Sequence, residues 1–261
     1  AIAVGIMTLI TIFFYDDPSH EVRIKDQRFF KNIKEIFHYL KEPKILIFII
    51  IFGIFIEIPF WSFFNLVTMY VDTHVDTKQL YDIFVHFFKV IGMENFGRSF
   101  VDLFSTDDHR IAGETIGHTA LYIIIFQMLV TRLSEKSRSI PTVAAGIMIM
   151  LLGCIGLYAS VGDYPGLMFL GIILFAVGEM TCIPRFEQYL ISLLPREKTG
   201  LGGGLLRIPI AIGALSGITI TPLYGFYESI QNPQIIWLII GGILLAGFIF
   251  VMIYDKLYKG E

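Results

Sequence analysis

The chain has 261 residues, of which 55% are hydrophobic, 15% aromatic and only 16% charged, whereas a soluble domain usually carries about a quarter charged residues. That balance excludes an ordinary water-soluble enzyme, and a mean hydropathy of +0.69 excludes a disordered chain, which needs low hydrophobicity and high charge. With a net charge of −3 and no strongly basic patch, nucleic acid is excluded as a partner.

In chain order, residues 1–15 are apolar but shorter than the roughly 20 residues that a bilayer core of about 30 Å demands. They lack a basic flank and a cleavage site, so they read as the end of a truncated transmembrane helix, and the chain as a fragment. Residues 16–44 read as a cytoplasmic linker with an amphipathic helix: Phe29, Phe30, Ile33, Ile36, Phe37 and Leu40 form a stripe opposite Lys31, Lys34, Glu35 and Lys41. A six-helix transmembrane bundle is expected over 45–255, with spans at 45–71, 115–131, 139–162, 164–195, 199–227 and 229–254. An extracytoplasmic insertion, 72–114, separates the first two. It carries a second amphipathic stripe, Leu80, Ile83, Phe84, Phe87, Phe88 and Ile91, and then Asp107 and Asp108. Its length marks it as functional or partly disordered. Residues 256–261 form a cytoplasmic tail. The many phenylalanines are expected to be mostly lipid-facing bulk.

Orientation follows from Lys and Arg, which are retained on the cytoplasmic side. Residues 16–44 hold seven, 132–138 three, 196–198 two and 255–261 two, against four in 72–114 and none around Asp163 or Glu228. The C-terminus is therefore cytoplasmic in a multi-pass protein of the plasma or bacterial inner membrane. Cys154 and Cys182 both fall within spans and support no disulfide framework.

The six spans form two groups of three running in opposite senses, and the first helix of each holds a deep glutamate followed by a proline: Glu57 with Pro59, and Glu179 with Pro184. Interrupted helices at matching places in inverted repeats point to a midplane site in secondary transporters. Glu57 lies about 20 Å along its helix from Lys44, and Glu179 about 22 Å from Tyr164. A carboxylate at that depth costs on the order of 3 kcal/mol unless it faces a cavity, finds a partner or takes up a proton. Taking up a proton is what coupling to a proton gradient requires. Glu57, Trp61, Asn65 and Thr68 share one helical face, and Glu179, Cys182, Phe186 and Glu187 another. These faces are the candidate substrate site, with Glu179 and Glu57 as proton carriers. The alternative is that both acids join helices as packing hydrogen bonds.

Glu187 and Arg207 lie at equal depth on consecutive spans, about 12 Å from the cytoplasmic end, which suits an ion pair acting as a gate. A permanent structural pair is the alternative, with Arg185 competing for Glu187. Glu114, His118 and Tyr122 stack at helical spacing; the histidine can titrate, but no second ligand accompanies it and no metal is assigned. Gly200 and Gly204, like Gly213 and Gly217, have the spacing of close helix approach. No catalytic triad, phosphate-cradling loop or metal cluster is present in the sequence, so neither an enzyme nor a cofactor is expected.

The layout resembles the C-terminal half of a major facilitator superfamily transporter. Phe60-Trp61-Ser62-Phe63-Phe64, Gly178-Glu179 with Pro184, Pro195-Arg196-Glu197-Lys198-Thr199-Gly200 and Ile212-Gly213 are similar to the seventh, tenth and eleventh helices of the proton-dependent oligopeptide transporters. The resemblance implies an all-α membrane protein: the C-terminal six-helix bundle of that superfamily fold plus the end of a preceding helix. It also implies that Glu179 helps bind a peptide amino terminus. The expected function is proton-coupled transport of peptides or similar small solutes by alternating access. Substrate would be held by Glu57, Trp61, Asn65, Glu179 and Phe186, between this bundle and a missing N-terminal half. The expected partners are that half, the small-molecule substrate, protons and the lipid bilayer. The rivals are a drug/proton or sugar-type member of the superfamily and a polytopic scaffold that transports nothing.

Overall fold

A computed structural model describes residues 35–106, 108–113, 117, 119–160, 164–195 and 199–258. The chain divides into two compact units, Ala1–His38 and Tyr39–Glu261. Of the first unit only residues 35–38 are described, and they are helical. The truncated helix expected over 1–15 and most of the amphipathic linker helix lie outside the described residues, as do Asp107, Glu114, His118, Asp163 and Arg196 to Lys198.

The second unit is helical throughout its described residues apart from turns and one isolated bridge between Ser105 and Ile111. Its elements are α1 (Pro43–His74), α2 (Lys78–Val90), α3 (Glu94–Asp102), α4 (Thr119–Ser134), α5 (Ser139–Ala159), α6 (Pro165–Ser192), α7 (Thr199–Gly213), α8 (Ser216–Ser229) and α9 (Ile235–Tyr258). Five stretches among the described residues are long and apolar enough to cross a bilayer: α1, α5, α6, α7 with α8, and α9. The chain is thus an integral membrane protein. Of the span expected at 115–131, the described part is the 16-residue α4, about 24 Å long. Helix α9 continues through Tyr258, so the first residues of the expected tail belong to it.

Local chemistry explains two irregularities. Pro59 has no N–H and its ring would press on the carbonyl of Phe55 in a regular helix. The turn before it, Gly53–Glu57, widens into a π-turn in which the Ile58 N–H donates to the Gly53 carbonyl, relieving that crowding. The stretch expected as one helix over 199–227 is broken at Ala214 and Leu215, where the Leu215 N–H bonds the nearer carbonyl of Ile212. Pro209 and Pro222 lie on either side of the break.

Helices α5 and α6 meet backbone to backbone. A Cβ on Gly146 would lie 2.7 Å from the Gly178 carbonyl oxygen, and one on Gly178 2.6 Å from that of Gly146; Gly153 and Gly171 face each other in the same way, at 2.7 and 2.8 Å. Of the glycines expected at close approaches, Gly213 lies against α1, whereas Gly200 and Gly217 have no neighbour among the described residues within 4 Å of a Cβ position. Among the described phenylalanines, Phe48, Phe52, Phe63, Phe175 and Phe186 are buried, while Phe37, Phe87, Phe96, Phe100, Phe104, Phe226 and Phe250 are exposed. Phe63 stacks on Phe175 at 3.9 Å, Tyr70 meets Trp237 at 5.3 Å, and all four are buried.

The helices alternate in direction. At one end the Tyr254 hydroxyl donates to the Lys44 carbonyl at 3.1 Å, Arg138 pairs with Asp255 at 3.1 Å, and Arg185 donates to the Ser134 carbonyl. At the other end His74 meets Glu228 at 3.4 Å and the Tyr70 hydroxyl reaches the Leu157 carbonyl at 3.4 Å. Within the insertion, residues 78–102 form the hairpin α2–α3, which reverses at Gly92 with a φ of 77°. Phe88 closes it against Phe96 and Phe100, each 5.9 Å away. Thr77 donates to Ile111 at 2.9 Å, and Arg110 to the Val75 carbonyl at 2.9 Å, tying the insertion to the end of α1.

Candidate functional site

Where α7 crosses α1, glycine sets the distance. A Cβ on Gly213 would sit 2.5 Å from Cδ1 of Trp61 and 2.8 Å from Cβ of Glu57, and one on Gly53 would sit 2.7 Å from Ile212. The helix break follows directly after Gly213 and turns Ser216 toward α1, where the Asn65 side-chain amide donates to its hydroxyl at 3.4 Å. These contacts frame a groove of about 430 Å³ lined by Trp61 and Asn65 of α1, Arg207, Ile210 and Ala211 of α7, Ala214 at the break and Ser216 of α8. That volume suits one small molecule. The span that forms its far wall is the least covered of the five, 28% buried against 39–56% for the others.

The structure divides the expected site residues. Trp61, 37% exposed, and Asn65 line the groove. Glu57 does not; at 5% exposure it is covered at the α1–α7 crossing, next to Trp61. Glu179 is half-buried on α6. Glu57 lies on α1, and Glu179, Cys182 and Glu187 lie on α6, which packs against it. Phe186 is also at that interface, buried and stacked on Phe52 at 3.4 Å and on Phe48 at 5.1 Å. It packs two helices together and does not line the groove. Helical spacing had put it on the face of Glu179, but spacing does not reveal which part of a face a neighbouring helix covers.

The expected ion pair of Glu187 with Arg207 is not formed among the described residues. Glu187 is half-buried on α6, whereas Arg207 is exposed in the groove. Counting residues from the hairpin fixes depth and leaves direction around the helix open. Arg185, the competing cation, donates to Gln188 at 2.8 Å and to the Ser134 carbonyl. Sequence reading missed Ser216 and the break that presents it, although Pro209 and the run Gly213-Ala214-Leu215-Ser216 carried a signal: a proline and a glycine close together interrupt a helix. Of the expected stack of Glu114, His118 and Tyr122, only Tyr122 lies among the described residues, buried and 6.0 Å from Phe169.

Chemically, the groove offers an aromatic plate, an amide, a hydroxyl and a guanidinium between apolar walls, with Glu57 covered at the same helix crossing. In comparison with known proteins, no protein-family model matches the chain and no curated protein matches it.

Proposed function

We propose that this chain is the C-terminal bundle of a proton-coupled secondary transporter for peptides or similar small solutes, completed by an N-terminal half and working by alternating access. The observation that carries the reading is the groove at the crossing of α1 with the broken span α7–α8, set beside the buried Glu57. A broken helix lining a cavity at membrane depth is the arrangement on which many secondary transporters build their sites.

In this reading Trp61 and Asn65 contact substrate, while Glu57 and Glu179 take up and release the proton. Gly213 lets α7 lie directly on Glu57. With the proton on, the carboxyl group is neutral and can stay covered. With the proton off, covering the charge costs on the order of 3 kcal/mol, which favours moving α7 aside and admitting water. Proton release is thereby linked to opening of the groove.

The test is uptake of labelled dialanine by the complete transporter in proteoliposomes under an imposed pH gradient. Glu57→Gln and Glu179→Gln are expected each to lower gradient-driven uptake by about tenfold or more, while leaving exchange without a gradient in place. Gradient-driven uptake unchanged in both variants would remove the proton-carrying role. No uptake or exchange of any tested peptide, sugar or drug by the unsubstituted protein would favour the scaffold.

A further inference from the structure

Among the described arginines, Arg98 pairs with Glu94 at 3.0 Å, Arg110 donates to the Val75 carbonyl, Arg138 pairs with Asp255, and Arg185 donates to Gln188 and to the Ser134 carbonyl. Arg132 and Arg207 make no hydrogen bond or ion pair with a described residue. Arg132 is exposed in the last turn of α4, at the end where Lys44, Arg138 and Asp255 gather. Arg207 differs in position. It lies about 12 Å into its span, at a depth where an uncompensated charge is costly, and its side chain lines the groove.

The protein's own acids do not satisfy it: Glu187, which shares its depth, forms no ion pair with it among the described residues, and Glu57 lies covered under Gly213. The other residues that line the groove are neutral. Asn65 donates to Ser216 at 3.4 Å, a long bond that either group can exchange for a ligand at little loss. Trp61 supplies an exposed apolar plate. An arginine fork in such a setting matches a planar carboxylate through two parallel N–H bonds, and the low dielectric around it strengthens the attraction.

We infer that Arg207 is the seat of a carboxylate on the transported molecule, with Asn65 and Ser216 as neutral hydrogen-bonding neighbours and Trp61 flanking the substrate's adjacent side chain. This rests on the transporter reading above and deepens it, giving Arg207 a binding role where its depth alone had suggested a gate.

The experiment compares dialanine with its C-terminal amide, which has nearly the same shape without the negative charge. Equilibrium binding to the complete protein in detergent, and uptake in proteoliposomes, are measured for the unsubstituted protein, Arg207→Lys and Arg207→Gln. The expected result is that Arg207→Gln weakens binding of the acid by roughly tenfold to a hundredfold, leaves the amide unchanged and so abolishes the preference between them. Arg207→Lys, with charge but no fork, falls between. Because Arg207 makes no hydrogen bond or ion pair with a described residue, Arg207→Gln is expected to fold, and its binding of the amide reports on that directly. Equal loss for acid and amide would overturn the inference in favour of pairing with the other half of the transporter. Unaltered preference for the acid would also overturn it, as would failure of both probes to bind. Binding that depends on Arg207 in a protein that moves neither probe would sustain the carboxylate seat and sink transport. Uptake that ignores Arg207 would do the reverse.

Discussion

Gly213 holds α7 against α1, because any Cβ there would collide with Trp61 and Glu57. Gly213→Ala is expected to force the crossing apart at a cost of about 1–3 kcal/mol, and to expose Glu57. A cysteine at position 57 in that background should therefore react faster with a water-soluble thiol reagent than the same cysteine opposite the native glycine; equal rates would refute the covering role. Gly178→Ala would meet backbone, since the carbonyl of Gly146 and the backbone nitrogen of Met150 both lie 2.6 Å from its Cβ position. Thermal unfolding in detergent should report a destabilisation of similar size, about 1–3 kcal/mol. At this scale the sequence was legible where a choice is local: Trp61 and Asn65, four residues apart, do face the same groove. The covering of Glu57 and the packing of Phe186 were not legible, because each is imposed by a helix distant in the chain.

Among elements, the α2–α3 hairpin offers the sharpest tests. Gly97 sits under Phe88, whose Cβ would be 2.1 Å from an added methyl. Gly97→Ala should therefore part the two helices, seen as faster proteolysis within residues 78–102 while the spans remain protected. The same hairpin carries a pH response. The Tyr81 hydroxyl donates to Asp102 at 2.7 Å, a bond that needs the phenol proton, and Asp102 holds the phenol above its ordinary range. A group whose pKa is raised by folding contributes its stability fully below the unfolded value, about 10 for tyrosine, and loses it as pH rises through the folded value. Backbone hydrogen exchange in α2 should accelerate above about pH 10, and Tyr81→Phe should remove the contribution of this bond to that acceleration. The stripe from Leu80 to Ile91 announced α2 in the sequence. The split between α7 and α8 was concealed by an apolar stretch long enough to read as one helix.

For the whole molecule, the alternation of basic loops gave the order of helix directions, and the contacts at the two ends of the bundle agree with it. It was readable because membrane insertion acts on charge near the helix ends, a property of short stretches of chain. Cysteines at positions 136 and 231 are expected to be labelled from opposite faces of intact cells or oriented vesicles, the first from the cytoplasm; labelling of both from one face would refute the topology. Which helices lie in backbone contact was hidden, because Gly146, Gly153, Gly171 and Gly178 are spaced for a partner helix and match no short motif within either helix. That seam has a mechanical consequence. Where backbone meets backbone at these glycines α5 and α6 resist parting, so rocking of the protein falls most readily on its loosely clad neighbour, the jointed span that runs from Gly200 to Ser229.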